Sequence, residues 1–584
     1  MLSRMFVLTL VMALLPVVLP DGLQAGVGET NPADLIGVWS AKRDFTPEEK
    51  GPIWIYRDKE GLSVVFAGHS LTALMERGEI RFELPGDRGY FRGHFANGNQ
   101  QIRGHWVQPW TQSSFARFAS PVVLSRHNKN SWVGQVTPMT DKLHFYLVIE
   151  QQEDGRISAF MRNPEANIGR FYTIGNIDWD PTGIKFRNAK GEVRLEGRYY
   201  PDNRQLSIYF PYNGGTYDFR RAADESTPHL YPRPKTDRRY RYSPPPRGEG
   251  WQTAHLADVN MNTMPIEELI RLIIKTPMDA IDAPYVHAIL IARHGKLVLE
   301  EYFHGYNGEQ PHATRSAGKS VTTTLVGMAI HQGLLTLDTP VYQSLYGGQV
   351  PAGLDDRAVR MTLEHLITMT PGWACDDADS NSPGNEDVMQ NQEEQPDWRQ
   401  YTLDLPMAHE PGSHAAYCSA SQNMAGGVLA KVTDQWLPDI FIQHFADPLQ
   451  IGLYHMNLTP AGRGYGGGGL FIKPRDFLKL GQLYLDNGNW NGRQLLSPAW
   501  VKAASTVQNK IWEESYGYGW WVFSYPYRGG KVKAFYAGGN GGQYVIVIPE
   551  LRLNIAGFGG NYNQKVMHKV KYEYVRDYIL PAIK

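Results

Sequence analysis

A chain of 584 residues with a formal net charge of −1 has length for two large domains or three to four ordinary ones. Near-neutrality removes the electrostatic basis for binding nucleic acid or an anionic membrane surface, so neither is expected as a partner.

The chain opens on Met1-Leu-Ser-Arg4 and an apolar run from Met5 to Pro20, interrupted at Pro16 and Pro20. The run is shorter than the ~20 apolar residues a spanning helix needs, and Leu23-Gln-Ala25 supplies small-residue cleavage chemistry. Residues 1–25 therefore read as a secretory signal peptide, which makes the protein exported, periplasmic or secreted, with no transmembrane span. In such a compartment the only two cysteines, Cys375 and Cys418, are expected to pair.

Residues 27–224 alternate apolar and polar side chains in short runs punctuated by Gly, Asn and Asp, as in Ile53-Trp-Ile-Tyr56 and Leu206-Ser-Ile-Tyr-Phe210. This predicts an all-β domain. Ile80-Arg-Phe82, Gly93-His-Phe95 and Gln101-Ile102 recur as Ile184-Lys-Phe186, Gly197-Arg-Tyr199 and Gln205-Leu206 at a constant offset of 104 residues. Gly61-Leu-Ser-Val-Val-Phe66 has an echo in Gly155-Arg-Ile-Ser-Ala-Phe160 at a different offset. A duplicated meander closing into one barrel or forming a sandwich follows. Gly37-Val-Trp39 invites a lipocalin-like reading with an apolar ligand inside, against the plainer one in which Trp39 is core.

Residues 225–252 are rich in Pro and basic side chains (Pro228, Pro232, Pro234, Arg238-Arg239, Pro244-Pro-Pro246) and are expected to form a linker, either a spacer or a strap across the next domain. Residues 253–584 run in the order strands, helices, strands, which predicts an α+β domain with an antiparallel sheet flanked by helices.

Within this half, Ser316-Ala-Gly-Lys319 opens an apolar helix-period segment, so Ser316 and Lys319 share a face at its first turn. A desolvated lysine there can take the serine proton, making the pair a nucleophile and base. A Ser-x-x-Lys tetrad is by itself weak, arising by chance about once or twice in a chain of this size. Two further motifs accompany it: Tyr417-Cys-Ser419 before an apolar helix, and Ala537-Gly538-Gly539-Asn540-Gly-Gly542 before a strand.

This ordered set resembles the serine β-lactamase and penicillin-binding-protein superfamily, in particular class C β-lactamase-like hydrolases and esterases, including 6-aminohexanoate-oligomer hydrolases. The likeness runs from about Val286 to Tyr578 and extends to Leu334-Leu-Thr-Leu-Asp338, Thr362-Leu-Glu-His-Leu-Ile-Thr-Met-Thr-Pro-Gly372 and Gly466-Gly-Gly-Gly-Leu470. It implies that Ser316 attacks an acyl carbonyl, that Lys319 and Tyr417 share its proton, and that backbone N–H groups of Ser316 and Asn540 hold the oxyanion. Gly538 and Gly539 would permit the close approach, and Ser419 would contact substrate. No cofactor and no metal are implied, and the partner is a small ester, amide or peptide.

Two departures narrow the substrate. Relatives acting on β-lactams or D-alanyl peptides usually carry Lys or His where this chain has Ala537, and many have Asn where it has Ser419. Lys531 and Lys533 are the nearest replacements for the missing cation. A disulfide between Cys375 and Cys418 would fix the tyrosine against the loop before an acidic insertion, 376–400, which is either a cover for the pocket or a solvated loop. The expected function is an exported serine hydrolase. The alternatives are a peptidoglycan-directed D,D-peptidase or β-lactamase, and a lipid- or ligand-binding protein with a degenerate hydrolase domain.

Overall fold

A computed structural model describes residues 34–584 except 166–167, 169–171, 173, 181–182, 223–226, 228, 235–238 and 392–396. The signal-peptide reading of 1–25 lies outside the described residues.

The N-terminal half forms two antiparallel β-barrels where one barrel or a sandwich was expected. One contains Gly51–Arg57, Leu62–Phe66, His69–Glu76, Glu79–Glu83, Tyr90–Ala96, Gln101–Val107, Arg117–Asn128 and Ser131–Val136 in sequence order, closed because Ser131–Val136 pairs with both the first strand and Arg117–Asn128. The other contains Gly37–Asp44 and the seven strands from Lys142–Gln151 to Gly215–Arg221. Gly37–Asp44 sits between Gly215–Arg221 and Lys142–Gln151, and an Ala159–Ile174 bridge joins the two ends of the sheet. The first barrel is thus inserted between strands one and two of the second.

The repeat seen in sequence is a repeat in register. Ile80 pairs with Gly93 and Gly93 with Gly104; at the same offset Ile184 pairs with Gly197 and Gly197 with Ile208. Inward positions fill each barrel: Ile53, Val64, Phe66, Phe82, Phe91, Trp106 and Trp132 are buried in the inserted one, and Trp39, Phe145, Phe186, Phe210 and Phe219 in the other. Trp39 is core, with its indole N–H donating to the Leu35 carbonyl at 2.7 Å. These packed side chains occupy the space that the lipocalin-like reading assigned to an apolar ligand.

The linker is a strap over its described residues. Tyr240 donates to Glu301 (2.7 Å), Tyr242 to the Val298 carbonyl (2.9 Å), and Gln252–Thr253 adds a short parallel strand beside Lys296–Leu297.

The C-terminal half is an α+β domain built on a nine-stranded sheet. Its central strands Val286–Arg293, Leu553–Gly559 and Gln543–Ile548 are buried at every position. Alternation decides which face each residue serves. Ala288, Leu290, Val545 and Val547 meet helices Lys319–His331 and Pro474–Leu485; Ile289, Ile291, Tyr544 and Ile546 meet helix Thr263–Ile274 and the C-terminal helical segment Val570–Ile579. Both faces are covered, so these strands read as continuous apolar runs. No helix among the described residues is long and apolar enough to cross a membrane.

The inserted barrel joins this domain through its backbone. Arg117–Ala119 pairs with Met456–Leu458, whose strand Tyr454–Leu458 pairs with Phe471–Ile472, which pairs with His312–Ala313. Buried side chains reinforce the seam: His105 with the Tyr454 hydroxyl at 2.7 Å and Ser120 with His455 at 2.8 Å.

Candidate active site

Ser316 lies in a 3-10 turn, Arg315–Gly318, and the α-helix begins at Lys319, one turn later than the periodicity suggested. The turn exists because Ala317 N–H donates to the Thr314 carbonyl (3.1 Å), while Thr314 is tied to Leu470 through its own N–H (2.8 Å) and its hydroxyl (2.9 Å). Residues 319–329 of the helix are all buried, because it runs between the sheet and helix Ser419–Thr433.

Lys319 Nζ donates to Ser316 Oγ at 3.1 Å and to the Gly467 carbonyl at 2.6 Å. The carbonyl comes from Gly466–Gly469, a run that can press against the turn only without side chains: a β-carbon on Gly468 would lie 2.8 Å from the Arg315 carbonyl oxygen. Burial pushes the Lys319 pKa down, against the opposing pull of Glu386 and Asp377. Its ammonium position is 5.0 Å from the centre of the Tyr417 ring.

Tyr417 is buried against Trp512 (4.9 Å between ring centres) and Trp521 (5.9 Å). Burial pushes its hydroxyl pKa well up, and a hydrogen bond with Ser316 works the other way. Ser316, Lys319 and Tyr417 are therefore brought together.

Gly538 and Gly539 end the strand Gly530–Gly539, and Asn540 begins the turn into Gln543–Ile548. A β-carbon at Gly539 would lie 2.3 Å from the Thr314 carbonyl oxygen and 3.0 Å from Ala317 N. The strand end thus abuts the nucleophile turn. The Asn540 side chain is held by Asn563, donating to its amide oxygen and accepting from its backbone N–H, both at 2.6 Å.

The Ser419 hydroxyl and N–H both donate to Asp377 Oδ2, at 2.7 and 2.8 Å, so its donors are used within the protein. Lys531 and Lys533 do not replace the missing cation. They pair with Pro526 and Ser524 at the far, exposed end of the strand, and Lys533 is about 13 Å of strand from Ala537.

The acidic insertion, over its described residues, combines an exposed stretch at 378–381 with an inner wall around Ser382, Asn385 and Met389. Cys375 and Cys418 are disulfide-bonded with Cα atoms 5.6 Å apart. Asp377 N–H donates to the Tyr417 carbonyl (2.8 Å), and Asp377 Oδ1 accepts from Glu386 N–H (2.9 Å). Burial, reinforced by Glu386 and opposed by Lys319, pushes the Asp377 carboxyl above the usual carboxylate range. Glu386 accepts from the buried Tyr465 hydroxyl.

Asp377, Glu386, Tyr465 and the Gly467 carbonyl were not anticipated as site groups. The signals were the acidic composition of the insertion and the glycine run, neither of which carries a distance. Trp512 was also missed. It forms with Glu513 a two-residue hairpin turn, both at positive φ (51° and 67°), that hangs its ring over Tyr417. Among the described residues, no group of three or more His, Cys, Asp or Glu is placed to hold a metal ion.

Residues 278–559 match the Beta-lactamase family, so the C-terminal part of the chain is a β-lactamase-family domain. It is distantly similar to a 6-aminohexanoate-dimer hydrolase from Paenarthrobacter ureafaciens, 23% identical over 229 residues; the match covers 37% of this chain and 56% of that relative. Among solved structures, EstCE1, a hydrolase with promiscuous acyltransferase activity, aligns with a TM-score of 0.42 at 19% identity, covering 54% of this chain and 98% of its own. Simvastatin synthase (LovD) from Aspergillus terreus aligns at 0.41 and 17%, covering 51% and 92%.

Proposed function

We propose that the protein is an exported serine hydrolase that cleaves an ester or amide through an acyl-enzyme on Ser316. One observation carries the reading: Lys319 Nζ lies 3.1 Å from Ser316 Oγ in a buried setting that lowers its pKa. A neutral amine there accepts the hydroxyl proton as Oγ bonds to the carbonyl carbon. Tyr417, whose pKa is raised, is protonated in the resting site and is placed to give that proton to the leaving group as the C–O or C–N bond breaks, the proton taken up by Lys319 then replacing it. Water then attacks the ester on Ser316, its proton returns through the same pair, and the acid leaves. The Ser316 and Asn540 N–H groups are assigned to the oxyanion because Gly539 brings that strand end against the turn.

The activity in the name of the Paenarthrobacter relative supports the amide arm of the proposal. The signal-like start and the disulfide support export. Ala537 removes the cation from the place where relatives acting on β-lactams or D-alanyl peptides usually carry it. The test is mass spectrometry of intact protein after exposure to esters, amides and β-lactams. An adduct on Ser316 that Ser316→Ala abolishes is expected, and turnover that survives this substitution refutes the assignment.

A further inference from the structure

We infer that Arg315 is the specificity-determining cation of this site and that the substrate carries a carboxylate on the side lying along Gly538–Gly542. The inference rests on the hydrolase reading only for its turnover assay. Arg315 directly precedes Ser316 and is exposed, yet its backbone is left-handed at φ 49°, a conformation that favours glycine. A bulky side chain is held at the mouth of the site in a geometry its β-carbon opposes, and such strain clusters where a side chain must be aimed.

The aim is defined. The guanidinium carbon lies 4.7 Å from the centre of the Tyr562 ring, and Tyr562 is buried against Gly541, where a β-carbon would lie 2.7 Å from the ring. Arg315 is thereby braced beside the turn that follows Gly539. The Arg315 side chain also hydrogen-bonds the Tyr562 hydroxyl, which fixes the guanidinium further; a guanidinium carries five N–H donors, so others are left for a carboxylate.

Among the described residues, no carboxylate lies within ion-pair distance of Arg315. The carboxylate of Glu165 is taken by His144 (2.7 Å) and Asn163 (2.6 Å). The strand itself offers no cation at Ala537, and Lys531 and Lys533 are too far along it. The opposite wall is aromatic, with Tyr417 and the exposed Trp512. The site is therefore polarised, cationic beyond the glycines and apolar beyond Tyr417. It suits an ester or amide with an apolar portion and a free acid.

The test compares mono-p-nitrophenyl glutarate with its methyl ester, which differ in one charge. The full-length protein is expected to favour the acid by roughly tenfold in kcat/KM, with the preference shrinking as salt rises. Arg315→Gly, which the backbone accommodates, should bring the ratio near one, and Arg315→Lys should restore part of it. An unchanged ratio in Arg315→Gly overturns the inference. A second measurement separates it from the hydrolase reading: calorimetric binding of monomethyl glutarate to Ser316→Ala protein with and without Arg315→Gly. Binding that depends on Arg315 supports the anion site even if neither ester is turned over, an outcome that counts against the ester arm of the hydrolase reading alone. Binding indifferent to Arg315 overturns the anion site even if both esters are cleaved.

Discussion

Removing the Cys375–Cys418 disulfide should both loosen the catalytic domain and slow its chemistry. The bridge spans 43 positions. Releasing a loop of that size returns about 4 kcal/mol of chain entropy to the unfolded state. Spread over the roughly 330 residues of this domain at about 2.1 cal/mol/K per residue, that lowers its melting temperature by about 6 °C. The local effect is separate. Cys418 lies between Tyr417 and Ser419, and Cys375 lies two residues before Asp377, which accepts from Ser419 and donates to the Tyr417 carbonyl. Without the bridge, hydrogen bonds alone hold the tyrosine against this wall, and a displacement of about 1 Å costs on the order of 100-fold in rate. Calorimetry and steady-state kinetics of Cys375→Ala/Cys418→Ala test both effects; alanines avoid placing hydroxyls at two buried sites. A lower kcat with KM little altered is expected. A melting temperature within about 1 °C of wild type and an unchanged kcat would refute the reasoning on both counts.

Asp377→Asn should move the acid limb of kcat/KM to lower pH. Asp377 and Glu386 both hold the Lys319 pKa up against burial, so removing one charge lets it fall further and leaves more neutral amine at a given pH. A limb that moves to higher pH would contradict the assignment of Lys319 as base. Gly539→Ala should abolish acylation of Ser316, because its β-carbon would meet the Thr314 carbonyl at 2.3 Å, backbone that cannot give way without moving the nucleophile turn. Active-site titration measures this, and full titre in folded variant protein would count against it. His312 should make the domain acid-sensitive. It is neutral when folded, its pKa pushed down to about 4 by burial and further opposed by Arg315, against about 6.5 unfolded. Its stabilisation is thus complete above pH ~6.5 and lost as pH falls through ~4, about 3 kcal/mol in all. Urea titrations of wild type and His312→Gln from pH 7 to 4 should converge toward the acid end, and parallel pH slopes would rule the effect out.

What the sequence disclosed follows the range over which each signal acts. The Ser316–Lys319 spacing, the Tyr417 triplet and the strand before Gly538 are local patterns, and a helical turn or a strand turns them into position directly. The repeat at Ile80 and Ile184 was visible because pairing register depends on the same residues recurring in the same order. Two separate barrels were not visible, because Gly37–Asp44 is separated from its neighbours Lys142–Gln151 and Gly215–Arg221 by a whole inserted barrel. The partner of Ser419 was not visible for a related reason: Asp377 lies 42 residues earlier, beyond any periodicity. The Trp512–Glu513 hairpin has no Asn-Gly or Asp-Gly signature, so nothing local announced its turn.

The tie between the inserted barrel and the catalytic domain is of the same long-range kind. The backbone that carries Ser316 follows directly from His312–Ala313, a strand of two residues held by another of two, Phe471–Ile472. Strands so short have no stability of their own. They are anchored through Tyr454–Leu458, which on its other edge pairs with Arg117–Ala119 of the inserted barrel. The barrel is closed by pairing of the far end of that same strand, Ser125–Asn128, with Ser131–Val136. One strand therefore serves both the closed barrel and the edge from which the nucleophile turn hangs. With the buried His105–Tyr454 and Ser120–His455 contacts across the seam, this makes the N-terminal half part of the frame that holds Ser316 in place.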